Sequence, residues 1–137
     1  MNYYFPIQVR FADTDALGHV FFANYFIFFD EAVSGLLRAL GHSYQDLRAQ
    51  NLEFVYAHAE CDYAASALFE DLLHVYARVA HIGTTSVTFE CHAQRAADEV
   101  VLARGKLVCV MRSVDTGAKA VVPESFRRAV EKNSSGE

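Results

Sequence analysis

Between Val20 and Leu40 the chain carries a segment so apolar that most of its surface must be kept from water. Its polar residues Asn24, Glu31, Ser34 and Arg38 follow one another at offsets of 7, 3 and 4, which at about 100° per residue places them in a single stripe. That spacing predicts a helix. The rest of its circumference carries Phe21, Phe22, Phe26, Phe28, Phe29, Val33, Leu36 and Leu37, far more than half of the surface, so other structure must wrap it. Gly41 is placed to stop the helix, and Ser43 with Asp46 three residues on caps a short second helix through Gln50. The uninterrupted apolar run, Val20 to Phe29 broken by Asn24, falls short of the roughly 18 to 20 residues that span a bilayer, and no membrane span is expected.

Beyond this segment the hydrophobic period changes from 3.6 to 2. Val55, Ala57, Ala59, Cys61 and Tyr63 alternate with polar or smaller partners, as do Leu73 to Val79 and Val87 to Ala93, and a last long run extends from Val100 to Arg112. With Tyr3 to Phe11 as a first strand, in which Pro6 is tolerable only near the start or on an edge, five strands are predicted. Gly83-Thr84 and Ala97-Asp98 form tight connections, so the strands they join are antiparallel neighbours. Pro123 opens a short C-terminal helix through Val130, and Asn133 to Glu137 form a polar tail. The 137 residues make one α+β domain over 1–132, a curled five-stranded antiparallel sheet wrapped around one long apolar helix. One helix covers one face of such a sheet, and this helix is broader than one sheet can hide. A self-association surface is therefore expected.

Several chemistries drop out early. Twelve basic residues against 17 acidic ones leave a net charge of −5, the wrong sign for binding DNA or RNA. Cys61, Cys91 and Cys109 are odd in number and widely spaced, which argues against a disulfide framework and against a CxxC site. They read as buried strand residues. The N-terminus lacks the basic, apolar and small-residue regions of a secretory signal, so the expected compartment is the cytoplasm. The seven glycines form no phosphate-binding loop and no nucleophile elbow, and the six histidines form no zinc motif. No metal is expected.

One segment remains, Asp13-Thr14-Asp15-Ala16-Leu17-Gly18-His19, which leads into the aromatic helix. Two carboxylates, a glycine turn and an imidazole stand where unpaired backbone N–H groups and the helix dipole favour negative charge. Either acid is able to act simply as a helix cap. Two acids and a histidine amid so much apolar surface point instead to a site, because a partly desolvated carboxylate is a usable base or nucleophile.

The longer stretch Val9-Arg10-Phe11-Ala12-Asp13-Thr14-Asp15-Ala16-Leu17-Gly18-His19-Val20-Phe21-Phe22-Ala23-Asn24-Tyr25 resembles the signature of hotdog-fold acyl-CoA thioesterases of the 4-hydroxybenzoyl-CoA thioesterase type. Element order, Leu40-Gly41-His42-Ser43-Tyr44 and the Gly83-Thr84-Thr85-Ser86-Val87 connection extend the resemblance. It implies that Asp15 is the catalytic nucleophile or general base, that the Phe22 backbone N–H polarises the thioester carbonyl, and that His19 orients Asp15 or the substrate. Gly18, Val20, Asn24, Tyr25 and His81 are the implied substrate contacts, and Asp13 is a structural cap. The resemblance also implies a homodimer or homotetramer whose sites form across an interface, and no cofactor, since CoA is part of the substrate.

Two departures from the family pattern stand out. Some members carry a histidine in the first helical turn where this chain has Phe21-Phe22-Ala23, and some carry basic residues near the Gly83 connection, where this chain has only His81. Arg78, Arg104, Lys106 and Arg112 are then the remaining candidates for the CoA phosphates. Competing readings are hydrolysis of an acyl carrier protein thioester, a hydratase or dehydratase on the same fold, and a non-catalytic acyl-binding module. The acyl group is not fixed by the sequence.

Overall fold

The computed structural model describes residues 3–135. Strand β1 (Tyr3–Gln8) is followed by a 3₁₀ turn (Phe11–Asp13), the long helix α1 (Asn24–Ala39), the short helix α2 (Tyr44–Arg48), strands β2 (Leu52–Tyr63), β3 (Leu72–Ile82), β4 (Ser86–Arg95) and β5 (Val101–Ser113), and helix α3 (Glu124–Ser135). The strands form one antiparallel sheet in the order β1-β3-β4-β5-β2. The α+β architecture, five strands around one long helix, is as the periodicity predicts.

Helix α2 ends at Arg48 rather than Gln50, and larger boundary differences occur in three places. The segment from Val20 to Phe22 is not helical: Val20 pairs with Thr14 in an isolated bridge, and α1 starts at Asn24. Periodicity alone cannot see this, because Phe21 and Phe22 continue the apolar pattern while their backbone is committed to a turn. Strand β1 stops at Gln8 rather than Phe11, because Asp13 draws the chain into the 3₁₀ turn by accepting from the Arg10 backbone at 2.8 Å. Helix α3 runs past Val130 to Ser135, so the expected polar tail from Asn133 lies partly in this helix and otherwise outside the described residues.

Helix α1 buries Tyr25, Phe28, Phe29, Ala32, Val33, Gly35 and Leu36. Each large apolar side chain among them contributes about 1.5–3 kcal/mol by leaving water. The sheet receives the helix along one cross-strand row, Tyr3, Ala77, Cys91, Gly105 and Cys61, whose middle members are small. The fit is close: a Cβ built on Gly105 would stand 2.4 Å from the Phe29 ring, and one on Gly35 would stand 1.8 Å from the Tyr3 hydroxyl oxygen. Because Phe29 is fully buried, the ring cannot move aside. Gly105→Ala is therefore expected to destabilise the fold by about 1–3 kcal/mol, read as a lower urea midpoint with an unchanged m-value. An unchanged midpoint would mean that helix and sheet can separate locally.

The capping box predicted for Ser43 and Asp46 is formed, Ser43 Oγ accepting from Asp46 N–H at 3.2 Å and Asp46 accepting from Ser43 N–H at 3.1 Å. Cys91 and Cys109 are buried, Cys61 is half-buried, and all three are free thiols. No helix among the described residues is long and apolar enough to cross a membrane.

Candidate active site

Asp15 sits at the head of a tight hairpin. Its N–H donates to His19 O at 2.8 Å and its carbonyl accepts from Gly18 N–H at 3.0 Å, while Thr14 and Val20 pair on either side. This is a four-residue turn closed by a glycine bulge, and Gly18 takes the left-handed backbone the bulge requires, φ +82°. The half-buried Asp15 carboxylate accepts from Leu17 N–H at 2.9 Å. One backbone donor fixes its direction, and the rest of its acceptor capacity stays open.

Asp13 has the opposite role. It is 4% exposed and takes three bonds from Arg10: from the backbone N–H, from Nε at 3.2 Å and from Nη2 at 2.9 Å. The Arg10 hydrogen bonds hold its carboxyl below the usual range. Such a committed carboxylate is structural, in line with the sequence reading. Its carbonyl ties the turn to α1 by accepting from Phe21 N–H and from Asn24 Nδ2, each at 2.9 Å.

That tie shapes the helix entrance. Asn24 N–H bonds Phe21 O and Tyr25 N–H bonds Phe22 O, but among the described residues no hydrogen bond engages the N–H of Phe22 or of Ala23. Two uncommitted amides thus stand at the positive end of a 16-residue helix. The Phe22 carbonyl also accepts from the Tyr63 hydroxyl at 2.9 Å.

The remaining wall is the segment 64–71. Ala67 O accepts from Val20 N–H at 2.9 Å and Leu68 bridges His19, while Arg95, itself paired with Asp98, holds the segment through Ser66 O and Asp71. It presents Leu68 and Phe69 beside Phe11, Leu17, Phe21 and Phe22, all substantially exposed. The rings touch: Phe11 meets Phe69 edge-on with centroids 5.8 Å apart, and Tyr63 meets Phe22 at 6.2 Å. A carboxylate and free amides ringed by open apolar surface suit an acyl group whose carbonyl must be reached.

The residues expected to contact substrate fare differently. Gly18 and Asn24 shape the turn and the helix start. Val20, 6% exposed, belongs to the core. Tyr25, 2% exposed, is buried with its hydroxyl unpaired among the described residues, and burial raises its pKa. His19 joins Asp15 through its backbone only; no side-chain hydrogen bond to it is formed. His81 lies near the far end of β3, and the 11 residues from Leu72 to Ile82 span roughly 30 Å. Within one chain it does not meet Asp15.

The segment 64–71 and Tyr63 were not singled out by sequence reading. They carry no motif; the pairing of β2 with β5 and the Arg95 anchor bring them to the helix entrance.

Of the candidate phosphate holders, Arg112 is bonded to Glu53 at 2.5 Å and Arg78 pairs with Glu90. Arg78, Arg104 and Lys106 line a groove of about 440 Å³ on the outer face of the sheet, facing as many acids, Glu60, Asp62 and Glu90. Its balanced charge gives no net attraction for a phosphate. Among the described residues no three His, Cys, Asp or Glu side chains gather as a metal-ligand group.

Residues 9–130 match the model of the thioesterase-like superfamily. The chain is 36% identical over 107 residues, 77% of this chain and 79% of the other, to the acyl-CoA thioesterase YbgC of Haemophilus influenzae. Among solved structures, the gentisyl-coenzyme A thioesterase BH1999 superposes with a TM-score of 0.81 at 28% identity, covering 93% of this chain and 98% of that one. The 1,4-dihydroxy-2-naphthoyl-CoA thioesterase Slr0204 of Synechocystis shares the fold with a TM-score of 0.88 at 23% identity, covering 98% of each chain.

Proposed function

Since this chain belongs to the thioesterase-like superfamily, we propose that it hydrolyses an acyl-CoA thioester to the free acid and CoA, with Asp15 as nucleophile or general base. The observation that carries this reading is the contrast between the two acids: Asp13 is consumed by Arg10, whereas Asp15 keeps open acceptor capacity beside an uncommitted helix entrance. The Phe22 N–H donates to the thioester oxygen as negative charge develops there. A single donor of this kind supplies about 3–4 kcal/mol of transition-state stabilisation. Water supplies the oxygen of the acid, and the thiol of CoA leaves. No cofactor enters, because CoA arrives as part of the substrate, and the three free cysteines suit a reducing compartment such as the cytoplasm.

The working unit is a homodimer. The edge of β1 is short and carries Pro6, which guards it against pairing, whereas β2 offers 12 residues without proline and pairs on one side only. A second β2 laid antiparallel extends the sheet. It also sets the Gly83 end of one chain, where His81 lies, alongside the Tyr63 end of the other, where Asp15 lies. Sedimentation at micromolar concentration is expected to give a dimer or a multiple of it, and an active monomer would remove the shared site.

The direct test is turnover of a panel of acyl-CoA thioesters with a thiol-trapping dye, beside the matching acyl carrier protein thioesters. Release of thiol from the CoA esters supports the reading. Release only from the carrier protein esters shifts the substrate class, and tight binding without release makes the chain a binding module.

A further inference from the structure

We infer that Tyr63, at the last position of β2, is a positioning residue for this reaction, acting through the Phe22–Ala23 peptide. The inference rests on the reading of Phe22 as the carbonyl-activating residue and goes beyond it to a residue that no sequence motif marks.

The peptide plane between Phe22 and Ala23 lies just outside the helix, where no hydrogen-bond ladder holds it. The helix entrance around it is fixed from two sides. On one, Asp13 O receives Phe21 N–H and Asn24 Nδ2, each at 2.9 Å. On the other, Tyr63 Oη donates to Phe22 O at 2.9 Å. The second bond is the less replaceable, because among the described residues the only other donor to that carbonyl is Tyr25 N–H at a long 3.4 Å. Without Tyr63 the plane is free to rotate, and the Ala23 N–H turns with it; the Phe22 N–H, in the adjoining peptide, feels the change through the Phe22 backbone torsions.

The bond also has an electronic consequence. A donor on an amide oxygen draws electron density from the nitrogen of the same amide, so the Tyr63 hydroxyl strengthens the Ala23 N–H as a donor, as linked hydrogen bonds polarise one another. Of the two uncommitted amides at the helix entrance, the phenol thus polarises the Ala23 N–H directly and reaches the Phe22 N–H by fixing the peptide next to it. The phenol is suited to holding a proton: burial of its surroundings and then the neighbouring Cys61 thiol push its pKa up to about 12, so it remains a donor throughout the neutral range. The ring is braced edge-on against Phe22 and Tyr25, with centroids 6.2 and 5.6 Å away. Truncation of the hydroxyl alone leaves that bracing in place.

Tyr63→Phe removes one oxygen and keeps the ring. Measured with one good acyl-CoA substrate beside wild type and Asp15→Asn, it is expected to lower kcat roughly tenfold, less than the 10²–10³ lost with a direct oxyanion donor, and to leave KM within about twofold. The thermal midpoint and the sedimenting species are expected to be unchanged. Tyr63→Leu, which also removes the ring, should raise KM as well. Wild-type kcat in Tyr63→Phe, with Asp15→Asn inactive, overturns the positioning role and leaves the proposed function standing. Full activity in Asp15→Asn removes the reading on which the role rests. A fall in midpoint or a change of mass in Tyr63→Phe that accounts for the lost activity also overturns it, since the hydroxyl would then serve the fold or the assembly.

Discussion

Asp15→Asn is expected to lower kcat by about 100-fold or more while the protein folds as wild type. A positioned base or nucleophile contributes on this scale, and 100-fold corresponds to about 2.7 kcal/mol of barrier. The substitution is clean for a structural reason. Among the described residues the carboxylate makes one hydrogen bond, accepting from Leu17 N–H at 2.9 Å, and the Asn amide oxygen accepts the same bond. The turn survives, while the negative charge and the basic oxygen are lost. Asp13→Asn should behave in the reverse way, because it breaks a threefold attachment to Arg10 at a buried position and so is expected to cost stability first, about 1–3 kcal/mol. Circular dichroism and thermal midpoints separate the two. Wild-type turnover in a folded Asp15→Asn protein would remove Asp15 from the chemistry.

The two acids show what a sequence can and cannot convey. Both stand two residues apart before an apolar helix, and composition gives them equal standing. The assignment of chemistry to Asp15 came from resemblance to a family signature. The physical difference, that Arg10 reaches forward to Asp13 and leaves Asp15 alone, depends on a 3₁₀ turn that β-periodicity reads as more strand. The helix start was misplaced for a related reason. Phe21 and Phe22 continue the helical spacing, but the Phe21 N–H is drawn to Asp13 O, and this bond holds the entrance open. The strands were more legible, since alternation over ten or more residues leaves one consistent face. Nothing local marks Tyr63 or the segment 64–71, whose positions follow from long-range pairing with β5 and from the Arg95 anchor.

The second large effect is expected at Gly18, and it separates the geometry of the turn from the shape of the pocket. Gly18 holds φ at +82°, and a Cβ placed there meets no atom within 4 Å, so any penalty for a side chain lies in the backbone alone. A β-branched residue tolerates the left-handed region poorly and Asn tolerates it well. Gly18→Val is therefore expected to force the turn into another conformation, breaking the Gly18 N–H bond to Asp15 O and moving the carboxylate. A displacement of about 1 Å at a reacting group costs on the order of 100-fold in rate, so kcat should fall on that scale with the strand core still folded. Gly18→Asn should keep most of the activity. Phe22→Leu touches the other half of the site: its side chain is 60% exposed and its N–H is retained, so KM should change more than kcat. The order expected in kcat is thus wild type, then Phe22→Leu and Gly18→Asn close behind, then Gly18→Val far below. If Phe22→Leu and Gly18→Val were reversed in kcat, the Phe22 side chain rather than its amide would be the part that meets the transition state.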